Sequence, residues 1–260
     1  MHKSRAVSVK KLLLIGTGIC LLTFVTCYIV AHRTGNLKYP YYFLSTSIDQ
    51  APASCLGSFG LSPVVLIVIP VVAWVRYEQV VEVMGTDSYA NKAMLVSALT
   101  SAIGGHGVAS FQWSNGWQAH LVFAGLFFGG GCVVAGASLV TDHHCPNFGT
   151  PTMRALRKLL GVLATGMLLA LCVIAGVKIV GVDCKLAADS AKCMTEFKSY
   201  QFTNSVLELS VMACLLGNYT TFLPEFTGWK FKLSITREIP PLLSAEDRML
   251  QKTDELETRA

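Results

Sequence analysis

Leu12–Ala31 reads LLLIGTGICLLTFVTCYIVA, an apolar run without one charged side chain. A helix needs roughly 20 such residues to cross about 30 Å of hydrocarbon, so this run is long enough to span a bilayer. A secretory signal has a shorter apolar core of about 7–15 residues and a small-residue cleavage site. Here the run continues into His32, Arg33 and Thr34, and it reads as a retained helix spanning about 12–31. Working outward, further apolar stretches lie at about 59–75, 93–113, 119–140, 159–180 and 205–222. In the whole chain 52% of residues are hydrophobic and 14% charged, against about a quarter charged in a soluble domain, so most of the length is built for lipid. Backbone in hydrocarbon must satisfy its own hydrogen bonds, and the runs are continuous, unlike the alternating segments of about ten residues that build a barrel. The chain therefore reads as all-α, a polytopic membrane protein with a six-transmembrane-helix bundle.

Pro63 and Pro70 are expected to bend the second helix. Of 21 Lys and Arg, fifteen, among them Lys10, Lys11, Arg76, Arg157 and Lys230, fall on the side that holds both ends of the chain. Six, among them Arg33, Lys178 and Lys192, fall on the other. Positive charge collects in cytoplasmic loops, which places both termini in the cytosol. The net charge of +5 is thus a topology signal, and no nucleic-acid partner is expected. Residues 1–226 form the membrane domain and 227–260 a polar cytosolic tail, for the longest connections are too short for a further domain.

Five of the nine cysteines, Cys20, Cys27, Cys132, Cys172 and Cys214, lie inside the apolar runs, as small packing residues do. Cys55, Cys184 and Cys193 face the oxidising side on this topology. Cys184 and Cys193 bracket a short loop that a disulfide is able to close; Cys55 can pair with either or stay free. The sequon Asn218-Tyr219-Thr220 falls in the cytosolic half of the sixth helix and is expected to carry no glycan.

Asp142-His143-His144-Cys145-Pro146 spells the signature of membrane S-acyltransferases, whose cysteine is a nucleophile held in a Cys-rich zinc module. Such zinc sites take about four N/S ligands, yet Cys145 is the lone cysteine between Val140 and Lys158, so a polar loop beside the headgroups is the expected role. Glu208 sits in an apolar run, where a carboxylate costs up to roughly 2.5–3.5 kcal/mol at the helix centre. It should face protein, as a strut between helices or as a proton or ligand site, with His106 and His120 as candidate partners. Gly125 and Gly129 form a Gly-xxx-Gly pair that lets helices approach closely; with the turn Ser114-Asn115-Gly116-Trp117 they predict a packed hairpin of the third and fourth helices, or a groove for a lipid chain. No dinucleotide, Walker, HExxH or GxSxG motif is present, so neither a catalytic residue, a cofactor nor a metal is expected. The tail carries Glu238-Ile239-Pro240-Pro241-Leu242-Leu243, which matches an acidic dileucine sorting signal through Glu238, Leu242 and Leu243.

Several segments together resemble the damage-regulated autophagy modulators and the transmembrane protein 150 group, within the Frag/DRAM/Sfk superfamily. They include Tyr39-Pro40 leading to Ala51-Pro52-Ala53-Ser54-Cys55, the run Val75-Arg76-Tyr77-Glu78-Gln79-Val80, Ser110-Phe111-Gln112, Ala119-His120, Glu208, and Phe222-Leu223-Pro224-Glu225-Phe226. The resemblance implies a non-enzymatic regulator whose partners are membrane lipids and cytosolic proteins met through loops and tail. One branch acts in autophagy at lysosomes and endosomes. The other supports phosphatidylinositol 4-kinase recruitment and lipid organisation at the plasma membrane. The dileucine-like tail favours the first.

Overall fold

The computed structural model describes residues 5–85, 88–146, 148–175 and 190–233. The chain divides into two compact units, Val7–Phe231 and Met1–Ala6 with Lys232–Ala260. The described residues of the second unit belong to two short strands, β1 (Arg5–Ser8) and β2 (Lys230–Leu233). The first unit holds every described helix. These are α1 (Val9–Arg33), the four-residue α2 (Leu44–Ser47), α3 (Ala53–Pro63), α4 (Ile69–Met84), α5 (Tyr89–Ser110), α6 (Trp113–His144), α7 (Pro151–Ile174) and α8 (Ser190–Thr220).

Five runs among the described residues are long and apolar enough to cross a membrane: α1, the continuous Ala53–Met84, α5, α6 and α7. The chain is a multi-pass membrane protein. α8 has the length, 31 residues, but Asn204, Glu208 and Asn218 interrupt its apolar character, and all three are buried. Its polarity is turned toward protein.

The helices overrun the apolar stretches because capping groups fix their ends. Thr150 accepts from the Met153 N–H while Pro151 occupies the first helical position, where its missing N–H costs nothing. α4 stops at Gly85, whose φ of 64° is left-handed. The expected bend in the second run is a π-helical turn, Val64–Val68, between Pro63 and Pro70. There the Ile69 N–H bonds the Val64 carbonyl, five residues back. Pro70 donates nothing and crowds the carbonyl one turn earlier, and widening the helix just before it relieves both problems.

α5 and α6 pack as a hairpin whose turn takes in Ser114–Gly116, as the sequence places it, but whose contact lies elsewhere. Trp113–Asn115 form one helical turn before Gly116, whose φ of −169° and ψ of 62° break the helix, so the long part of α6 starts at Trp117. Asp49 from the first loop accepts from the Ser114 N–H at 2.8 Å and holds this turn. Gly125 and Gly129 look onto open space. Close approach is carried instead by Gly104, where an added Cβ lies 2.4 Å from the Phe127 nitrogen and 2.7 Å from the Phe123 carbonyl oxygen, and by Gly107, against the Phe123 ring. α6 carries glycines on several faces, and of these Gly130 and Gly131, outside the Gly-xxx-Gly pair, are the ones that meet neighbours.

An alanine in place of a helical glycine gains up to about 1 kcal/mol in propensity, whereas forcing a methyl into packed backbone costs about 1–3 kcal/mol. Gly104→Ala is therefore expected to lower the unfolding temperature in detergent, and Gly129→Ala to leave it unchanged or raise it. Equal behaviour of the two variants in a thermal unfolding series contradicts the helix contact described.

Candidate functional site

At the end of the bundle where α4 and α6 finish and α7 begins, four charged side chains are sealed from solvent. Arg76 of α4 bonds Asp142 of α6 at 3.0 Å and Glu225, in the turn after α8, at 2.5 Å. Arg157 of α7 bonds Asp142 at 2.7 Å and Glu225 at 2.5 Å. The Arg157 and Glu225 side chains are 0% exposed, Arg76 2% and Asp142 7%. Two guanidinium groups and two carboxylates leave no net charge, the condition under which buried ions are tolerated.

Neutral groups complete the cluster. Arg157 donates to the Thr221 hydroxyl at 2.9 Å and lies over the Phe222 ring, 3.9 Å from its centroid. Arg76 lies over Phe148 at 4.5 Å. The Gln79 amide, one turn beyond Arg76 on the same face, donates to the Glu225 carbonyl at 3.0 Å. The Asn218 amide donates to the Arg157 carbonyl at 3.1 Å, so the sequon asparagine is buried inside the bundle. Gly149, at a left-handed φ of 65°, leaves room for Glu225: a Cβ there meets its Oε1 at 2.7 Å.

The DHHCP segment is absorbed by this architecture. Asp142 belongs to the cluster, His143 and His144 are exposed, and Cys145 is 1% exposed. Burial pushes the Cys145 thiol up, against the pull of the neighbouring Arg76. A protonated, covered thiol is a poor nucleophile. Among the described residues no group of three His, Cys, Asp or Glu side chains is placed to hold a metal ion.

Toward the opposite end of α8, Glu208 is 8% exposed and its Oε2 accepts from the Leu44 N–H at 3.1 Å. Leu44 opens α2, which has no capping side chain of its own, so Glu208 caps this short helix across 164 residues of sequence. The same loop is held by the Tyr28 hydroxyl donating to the Tyr42 carbonyl at 2.8 Å and by Ser205 donating to the Pro40 carbonyl at 3.3 Å. Neither predicted histidine bonds Glu208: His106 pairs with the Ser62 hydroxyl at 3.1 Å, and His120 with the Phe111 carbonyl at 2.6 Å. His120 and Glu208 do line one cavity, together with Ser45, Cys20 and Phe127. Cys193 is disulfide-bonded and Cys55 is a free thiol. Cys184, Glu238, Leu242 and Leu243 lie outside the described residues.

The model of one family, the Frag1/DRAM/Sfk1/Cwh43P N-terminal domain, matches residues 9–228. The chain belongs to this family. The matched Frag1/DRAM/Sfk1 region contains the whole ionic cluster, Glu208 and the first loop, and it ends before the dileucine-like tail. No curated protein and no solved structure matches. The cluster itself escaped the sequence reading. Arg76 and Glu225 stood in the segments that carried the family resemblance, but Arg76 and Arg157 counted there as loop charges that orient the chain, and nothing in their spacing pairs them with Asp142.

Removing one partner of a buried pair costs about 3–5 kcal/mol, whereas an exposed charge contributes about 0–1. Arg157→Gln is accordingly expected to reduce folded yield and unfolding temperature sharply, while Lys158→Gln, at the exposed next position, leaves both near the parent. Comparable losses in the two variants on size exclusion and thermal unfolding refute a structural role for the cluster.

Proposed function

We propose that this Frag1/DRAM/Sfk1-family protein is a non-enzymatic regulator of autophagy at lysosomal or endosomal membranes, acting by binding a protein partner or a lipid. In this reading α8 is a sixth span, both termini are cytosolic, and the ionic cluster lies at the cytosolic end. The observation that carries it is that the chemistry-bearing side chains are committed to one another. Arg76, Asp142, Arg157 and Glu225 form a neutral network, Cys145 is covered, and Glu208 is occupied in capping α2. The exposed charged and imidazole side chains at the cluster's end include Lys11, His143, His144, Lys158 and Lys230, with Glu78 and Glu82 on the last turns of α4. Such a rim suits anionic headgroups or an acidic partner.

The second reading, a plasma-membrane scaffold supporting phosphatidylinositol 4-kinase recruitment and lipid organisation, draws on the same basic rim. Localisation divides the two. A tagged copy is expected on lysosomes, with altered autophagic flux after deletion; a surface distribution, normal flux and a fall in surface phosphatidylinositol 4-phosphate favour the scaffold. A third reading, S-acyl transfer, requires a hydroxylamine-sensitive palmitoyl adduct on purified protein that is lost in Cys145→Ala. No such adduct is expected.

A further inference from the structure

Between the ionic cluster and the Glu208 cap, the middle of the bundle is incompletely filled. Two cavities share the walls Cys20, Val64, Val65, Phe127 and Met212. The larger has a cavity volume of about 60 Å³ and is bounded by α1, the π-helical turn, α4, α5, α6 and α8. Its walls include Leu13, Gly16, Val68, Leu215 and Tyr219 and contain no charged side chain.

Three independent features make this more than loose packing. Protein interiors pack as densely as organic crystals, and an apolar void stays dry and takes apolar ligands. The Tyr219 hydroxyl is buried and has no hydrogen-bond partner in the protein, although an unmet buried donor is destabilising. The π-helical turn Val64–Val68 contributes Val64, Val65 and Val68 to the wall, and such turns concentrate at functional positions.

We propose that this cavity binds a short stretch of one lipid alkyl chain, the methylenes next to an uncharged oxygen, an ester carbonyl or a hydroxyl, that accepts a hydrogen bond from Tyr219. Tyr219 stands next to the last residue of α8, Thr220, and its hydroxyl is the polar group at one end of otherwise apolar walls such as Leu13, Val68 and Leu215. Glu208 and His120 line the other cavity, so the chain ends short of the carboxylate. An anionic head finds no cation in these walls. The proposal deepens the lipid-binding half of the function proposed above.

The full chain, purified in detergent, can be photolabelled with two probes: a phosphatidylcholine carrying a diazirine in one acyl chain, and a diazirine-bearing hexadecanol. The expected result is saturable labelling by at least one probe, mapped to α8 or the π-helical turn and competed by the unlabelled lipid; the probe that saturates identifies the source of the chain. Tyr219→Phe should weaken the apparent affinity about fivefold to tenfold without lowering the unfolding temperature, since it removes an unpartnered hydroxyl. Val65→Phe, which fills the space, should abolish the specific signal. Labelling by neither probe, labelling confined to outward residues such as Leu22 and Val162, or equal labelling of parent and both variants overturns the site. Failure here with lysosomal localisation and altered flux intact removes the lipid site alone; the converse removes the autophagy reading alone.

Discussion

Taking an ion out of water costs several kcal/mol even after the protein relaxes, and this fold takes out four at one end. Each of Arg76, Asp142, Arg157 and Glu225 offsets its own desolvation only through two opposite charges on other elements. The arrangement is therefore cooperative: each charge meets both its partners only when three of the four elements, α4, α6, α7 and the turn after α8, are in place. In lipid, where apolar surface gives helices little reason to leave the surrounding chains, such a polar lock supplies selectivity that hydrophobic packing does not.

α7 shows the consequence most directly. Its buried residues are Arg157, Gly161 and Ala164, while Leu159, Val162, Leu169 and Val173 face outward. Gly161 lets α7 close on Ala135 of α6, a contact between small surfaces with modest dispersion energy. Arg157 adds to it through Asp142, Glu225 and Thr221. α7 is thus held at one end by charge and along its length by Gly161 against Ala135 and by Leu160, Ala164, Met167 and Leu168 against α8.

Which parts of this were legible in the sequence follows from the range of the interactions involved. The apolar runs were, because hydropathy is local; so was the need for Glu208 to face protein, because a carboxylate has no other place in hydrocarbon. Its partner was not. The predicted candidates were titratable side chains, His106 and His120, whereas the donor is the backbone N–H of Leu44, a group every residue has and no pattern marks. The cluster was hidden for a different reason: its charges sit at span ends, where Lys and Arg are common for orientation alone, and its pairings cross 66 and 149 residues between α4 and its partners. Asp142 was further masked by the catalytic signature it happens to complete. Gly125 and Gly129 failed in the opposite sense, since a motif was visible with no neighbour to use it.

The two ends of the bundle are held by different chemistry. The cluster end is a closed set of matched charges. The opposite end depends on one carboxylate capping a four-residue helix in a loop, with Tyr28 and Ser205 holding the strand of chain before it. Leu44, Ser45 and Ile48 of that loop form walls of the cavity beside Glu208. Any ligand that enters the shared interior touches residues of the loop, of the π-helical turn and of α8, and α8 leads directly into Thr221 and Glu225 of the ionic cluster. A single helix, α8, thus bonds the loop through Ser205 and Glu208, lines the shared interior through Met212 and Leu215, and bonds α7 at the cluster through Asn218.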